Sequence, residues 1–291
     1  MIEKLVAVVA PVFLCAALGY VWARSGRRYD TDVITVLVTN IALPALVFAT
    51  LVETRIDYAA LGSMAAATAA ATAVFGLVGA AVLGIARIPL RAFLPAMMFP
   101  NVGNMGLPLA ALAFGADGLA LAIVYFTVSA VLQLTVGVPM AAGAFSPGAL
   151  ARIPALYAVA GAAVFMTDAI EVPAWLLNTT RILGDMLVPL MLITLGVSLA
   201  GFKIANVGRG VGLSVLRLAL GVGGGIGVAF AFGLDGPARA ILVLQSAMPV
   251  AVMNYLFAQR YNTNPTEVAG LVMLSTLLGF ATLPFLIGAL L

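Results

Sequence analysis

Apolar residues in this chain fall in unbroken blocks rather than in alternation or along one helical stripe. The blocks are about 20 residues long, the length that crosses a bilayer as a helix. Ten such blocks can be counted, each closed by a short polar or glycine-rich stretch. The first five run over about Leu5–Ala23, Asp32–Val52, Tyr58–Ile85, Arg91–Phe114 and Gly118–Ala144. A turn at Ser146-Pro147-Gly148 precedes a short sixth block, Ile153–Thr167. A mixed piece, Asp168–Thr180 with Pro173 and Trp175, then reads as interfacial, because Trp favours the headgroup level. The last four blocks are Arg181–Gly201, Val207–Gly233, Pro237–Arg260 and Thr266–Leu291. The pattern predicts an all-α polytopic membrane protein of ten transmembrane helices, the first of them retained rather than cleaved. Alanine, threonine and glycine in the third block, and Gly221, Gly223, Gly224, Gly225 and Gly227 in the eighth, are small residues that let membrane helices approach closely.

The fourth block breaks this pattern. Phe99-Pro100-Asn101-Val102-Gly103-Asn104-Met105-Gly106-Leu107-Pro108 sets prolines, glycines and asparagines in the middle of apolar sequence. An unpaired backbone group in hydrocarbon costs several kcal/mol, so such residues need a local reason. A proline removes one donor and frees the carbonyl four residues back. Pro100 frees Ala96 and Pro108 frees Asn104; in the ninth block Pro249 frees Gln245, and Asn254 follows. Both blocks therefore read as broken helices. The second and seventh blocks also match: Asn40 precedes Pro44 by four positions, as Asp185 precedes Pro189. The first five blocks map onto the last five, which divides the chain into repeats 1–145 and 146–291. An odd number of spans per repeat forces the halves to insert in opposite orientation, the inverted-repeat design of secondary transporters.

If the two broken helices cross at their breaks, two half-helix N-termini converge. Each carries roughly half a positive charge and unpaired amides, a ready seat for an anion. Asn101, Asn104 and Asn254 add side-chain donors beside Pro100 and Pro249. One asparagine alone would be read as a cap on freed groups; three around paired breaks read as a binding site. Asp185 is placed in the first turn of the seventh helix, where it either satisfies the dipole or couples an ion. Gln133, Thr127 and Ser129, Gln245 and Ser246, and Ser275 and Thr276 either complete a sodium site with freed carbonyls or make interhelical hydrogen bonds. Arg217 either pairs with a carboxylate or snorkels.

Composition narrows the chemistry. The chain is 64% hydrophobic and 9% charged, against about 45–50% and about 25% for a soluble domain. It has no histidine and one cysteine, Cys15, which reads as an inert core thiol. That removes histidine triads, histidine or cysteine metal sites and internal disulfides. No Gly-Lys-Ser/Thr phosphate loop is present. An intramembrane enzyme lacks its parts, since hydrolysis needs a nucleophile with a base or a metal. No cofactor or nucleic-acid partner is expected; Na+ or H+ could serve as coupling ion. A channel needs a continuous pore of weak sites, and a scaffold has no use for two broken helices. Nine basic residues fall on one side of the predicted topology and four on the other, which places both termini outside a cell (inner) membrane.

The stretches Phe99-Pro100-Asn101 through Gly106-Leu107-Pro108-Leu109 and Phe257-Ala258-Gln259-Arg260-Tyr261-Asn262 with Pro265 resemble the auxin efflux carrier family. So do Ile182-Leu183-Gly184-Asp185, Leu195-Gly196 and Arg217. The likeness runs through all ten blocks and is most specific in the fourth and ninth. It is to a bacterial member with the fold of bile, arsenite and riboflavin transporters; the family includes plant auxin exporters and bacterial carriers of malonate and malate type. It implies a scaffold of spans 1, 2, 6 and 7, a mobile elevator-type transport domain of spans 3–5 and 8–10, homodimers and organic-anion substrates. Asn101 with the breaks at Pro100 and Pro249 would then form the carboxylate site. The plant proteins' large loop between spans 5 and 6 is here a few residues around Pro147, and their position at Asn254 is more apolar. A smaller carboxylate than auxin is therefore the expected substrate. The function expected is secondary-active transport of that anion by alternating access, or else channel-like or facilitative permeation without ion coupling.

Overall fold

The computed structural model describes residues 2–53, 58–143, 153–165, 171–202 and 205–291. The turn at Ser146-Pro147-Gly148 and the proposed boundary between the halves lie outside them. Fourteen α-helical stretches follow in order: α1 (Ile2–Arg24), α2 (Thr31–Leu37), α3 (Leu43–Glu53), α4 (Tyr58–Ile85), α5 (Leu90–Met98), α6 (Leu107–Leu132), α7 (Val138–Ala142), α8 (Pro154–Phe165), α9 (Ala174–Asp185), α10 (Leu187–Gly201), α11 (Val207–Ala231), α12 (Gly236–Ser246), α13 (Val252–Arg260) and α14 (Pro265–Leu290). Among the described residues, seven segments are long and apolar enough to cross a bilayer, and α8 is a shorter apolar helix. One of the seven, Val102–Ala142, is 41 residues long. Gly115, with a φ of 64° and a ψ of −155°, kinks α6 within it. That left-handed φ strains any residue with a Cβ, which suits glycine to the kink.

Three π turns explain prolines that would otherwise break helices. They span Val38–Ala42, Val102–Gly106 and Gln133–Gly137, and Pro44, Pro108 and Pro139 follow two residues after each. In each, the N–H just before the proline reaches back five residues: Leu43 to the Val38 carbonyl, Leu107 to Val102 and Val138 to Gln133. The widened turn makes room for a ring that cannot donate. Pro108 therefore does not open a second gap in the fourth span; the helix swells there and continues into α6.

The seventh span differs from its expected form. Pro173 sets its start, and α9 carries the helix through residues 174–180, part of the piece that Trp175 led us to place at the interface. Thr179 and Thr180 donate their hydroxyls to the Trp175 and Leu176 carbonyls at 2.7 and 3.0 Å, so their polarity is absorbed within the helix. Arg181 lies inside α9 and pairs with Glu53 of α3. Asp185 is consequently not in a first turn. It ends α9, exposed, at a junction before Pro189, where the Leu190 N–H returns to the Met186 carbonyl.

Glycines set the closest helix contacts. α1 and α10 meet backbone to backbone: a Cβ on Gly196 would stand 1.8 Å from the Ala16 carbonyl oxygen, and one on Gly19 2.0 Å from that of Ile193. Of the five glycines between positions 221 and 227 of α11, Gly221, Gly224 and Gly225 touch neighbours, whereas Gly223 and Gly227 face open space. Close packing thus explains part of that run only. Cys15 is a free, half-buried thiol on α1.

Candidate functional site

The site is built where two helices stop. α5 ends at Met98 and α12 at Ser246, and each chain continues extended before a new helix begins. These extended pieces pass antiparallel, with Pro100 opposite Val250. The Asn101 N–H donates to the Pro249 carbonyl at 2.7 Å, and the Ala251 N–H donates to the Phe99 carbonyl at 3.3 Å. The donors are the residues after Pro100 and Val250, so the missing N–H of each proline costs the pairing nothing. The Val250 N–H, pointing the other way, is taken by Ser275 Oγ of α14 at 3.1 Å.

This pairing consumes the carbonyls that the next helical turns would have used. The Phe99 carbonyl also accepts from Asn254 Nδ2 at 3.0 Å, and that of Pro100 accepts from the Val102 N–H at 2.8 Å. The amides of Gly103, Asn104 and Met253, one turn onward, are left as first-turn donors without a free carbonyl behind them. Two half-helices thus begin at the crossing, each presenting the positive end of its dipole.

The predicted polar residues divide into two groups around these starts. Asn254 is satisfied: it bonds Phe99, and its Oδ1 accepts from Gln133 Nε2 at 3.3 Å. It ties α13 to the opposite break and to the π turn before α7. Asn101 is 3% exposed and its Nδ2 has no partner. Gln245, in the last turn of α12, is fully buried with both amide atoms unpartnered. Its Oε1 fills the space over Gly106, where a Cβ would lie 2.0 Å away. Asn104 is half-buried in that same π turn. Unmade bonds on buried polar atoms cost about 1–3 kcal/mol each, so such atoms need an account. Ser246 shares a hydrogen bond with Tyr125 at 3.2 Å. Ser275 and Thr276 both donate to the Val272 carbonyl, at 3.1 and 2.7 Å, and Thr127 donates to that of Ile123 at 2.8 Å. The Thr127 and Thr276 hydroxyls serve their own helices, whereas that of Ser275 also holds the Val250 N–H.

Asp185 does not join this group. It stands at the end of α9, which packs against α3 rather than against either break. Two participants carried no sequence signal of their own: the Phe99 carbonyl and the Tyr125 hydroxyl. Phe99 lay within the flagged motif but acts through its main chain, which no side-chain pattern marks.

Residues 5–150 and 146–287 match a family described as membrane transport protein. An uncharacterized transporter of Methanothermobacter thermautotrophicus is 25% identical in an alignment that covers 95% of each chain.

Proposed function

Because the chain belongs to the membrane transport protein family, that of the auxin efflux carriers, we propose that it is a secondary-active carrier of small carboxylates working by alternating access, with its site at the crossing of the two breaks. That it is a transporter follows from the family; the substrate class is inferred from the crossing. The observation that carries it is the unpartnered amide of Asn101, buried beside two half-helix starts. Asn101 Nδ2 and the free amides of Gly103, Asn104 and Met253 are all donors, and a carboxylate is an acceptor only. Amide donors at helix starts hold an anion without a full cation. Gln245 supplies a further amide at the same turn, and Asn254 and Pro249 hold the frame.

The reading includes ten spans in two inverted halves. Gly115 divides the longest apolar segment, and α5 with the start of α6, and α12 with α13, each make one broken crossing. It includes a scaffold of the first, second, sixth and seventh spans and a moving remainder. It also includes a homodimer in the cell (inner) membrane, with both termini outside. The test is uptake of labelled mono- and dicarboxylates into proteoliposomes, with and without a sodium or proton gradient. Accumulation against the carboxylate gradient supports the carrier; no uptake of any carboxylate under any gradient overturns it. A specific observation favours the second reading, facilitative anion permeation: the one carboxylate considered for coupling, Asp185, lies away from the crossing. Equilibration without accumulation would select that reading.

A further inference from the structure

One buried charge has no part in the carboxylate site. Arg217 of α11 is fully buried. Its Nη2 donates to the Ser246 carbonyl at 2.7 Å, and its guanidinium carbon lies 4.9 Å from the centre of the Phe75 ring. Nε and Nη1 have no partner. The ion pairs seen among the described residues join Arg181 to Glu53 and Arg209 to Glu267. Arginine keeps its charge inside proteins, and a charge at membrane depth requires a reason.

The place of the guanidinium gives the reason. Ser246 is the last residue of α12, and the carbonyls of a final helical turn carry the negative end of the dipole. A helix broken in the membrane exposes that end, and transporters commonly meet it with a bound cation. Here the protein meets it with its own side chain. α11 is pressed onto the same end: a Cβ on Gly221 would lie 2.2 Å from the Ser246 carbonyl oxygen, and one on Gly225 3.0 Å from the Ser246 Cβ. Glycine at these positions lets the Arg217 backbone come close enough for the guanidinium to cap the helix. The end of α5 is treated differently. There Gly76 and Gly79 of α4 face the apolar side chains of Met98 and Met97.

We propose that Arg217 is a tethered counter-cation, a positioning residue that neutralises the C-terminal end of α12, fixes the extended piece from Met248 to Ala251, and takes the place a coupling sodium ion would otherwise fill. With that negative pole covered, the two half-helix starts face the crossing unopposed. The consequence for transport rests on the carrier reading; the cation-replacing role does not.

The test uses the full-length protein in detergent, melted in sodium chloride, in choline chloride, and in choline chloride with low-millimolar guanidinium. The wild type is expected to melt at one temperature in all three. Arg217→Ala is expected to melt lower in choline and to recover, saturably, with guanidinium or sodium. Arg217→Lys is expected to keep most of the wild-type value, and Phe75→Ala to show no recovery by guanidinium. Equal loss for Arg217→Ala in every salt would reduce Arg217 to packing and overturn the proposal, as would a saturable sodium stabilisation of the wild type. Should Arg217→Ala not be recovered folded, the wild-type sodium comparison and Arg217→Lys decide. In proteoliposomes, wild-type carboxylate uptake is expected to be equal in sodium and choline. If no carboxylate is transported while the saturable rescue persists, the carrier reading fails and the counter-cation stands.

Discussion

Asn101 and Asn254 look alike in the sequence, each an asparagine shortly after a helix-breaking proline, but they do different work. Asn254 makes two side-chain bonds that join three segments, whereas the Asn101 amide makes none. Replacing each by alanine separates a structural from a binding role. Asn101→Ala is expected to leave thermal stability near wild type and to weaken carboxylate binding by about tenfold to a hundredfold, the worth of a hydrogen bond to a charged group. Asn254→Ala is expected to lower stability by about 1–3 kcal/mol, because it removes one of the two donors to the Phe99 carbonyl and the acceptor of the Gln133 amide. Calorimetric titration and denaturation on the same preparations check both. Unaltered affinity in Asn101→Ala would remove that residue from the site. The sequence marked where polar groups sit at membrane depth, since any such group stands out against hydrocarbon. It could not show which of them are already satisfied, because the partners are main-chain atoms of residues some 150 positions away. Tyr125 is silent in the sequence because it is one aromatic among apolar neighbours, and Gly106, though among the helix-breaking residues, has no side chain to show which neighbour fills its space.

At the scale of elements, block length located the membrane segments well. α4, α11 and α14 begin and end within a few residues of the blocks that predicted them. It served poorly where a charge fell inside a helix. The seventh block opens at Arg181, but paired with Glu53 that residue sits within α9, and Asp185 stands at the end of that helix rather than in a first turn. Prolines were also ambiguous. Pro100 and Pro249 attend true breaks, whereas Pro44, Pro108 and Pro139 are each absorbed by a π turn. The difference is tertiary. A break persists only where another segment takes the freed groups, as the two extended pieces do for one another. The α1–α10 contact gives a prediction at this scale. Gly196→Ala would place a Cβ inside the Ala16 carbonyl. It is expected to cost at least about 1–3 kcal/mol, as overpacking does, and to lower the melting temperature. An alanine at Gly223, which faces open space, is the matched control and is expected to be tolerated.

For the whole molecule, the sequence conveys membrane class and family most firmly, because both are spread over hundreds of residues. Sidedness rests on the excess of basic residues in alternate loops. It predicts that, in a Cys15→Ser background, a cysteine at Leu291 reacts with an impermeant maleimide in whole cells. A cysteine at the exposed Ser25 is expected to react only after permeabilisation. The reverse pattern would invert the topology.

The pairing of the two breaks also dictates an order of manufacture. The Phe99 carbonyl and the Asn254 side chain that meets it are 155 positions apart. While the ribosome is still making the residues between them, the first break lies in the bilayer with no mate. The pairing of the two breaks cannot exist until the second is threaded past the first. If the carrier site lies at that crossing, the nascent half-protein is inert as a transporter, and the membrane is not opened to solutes before the chain is nearly complete.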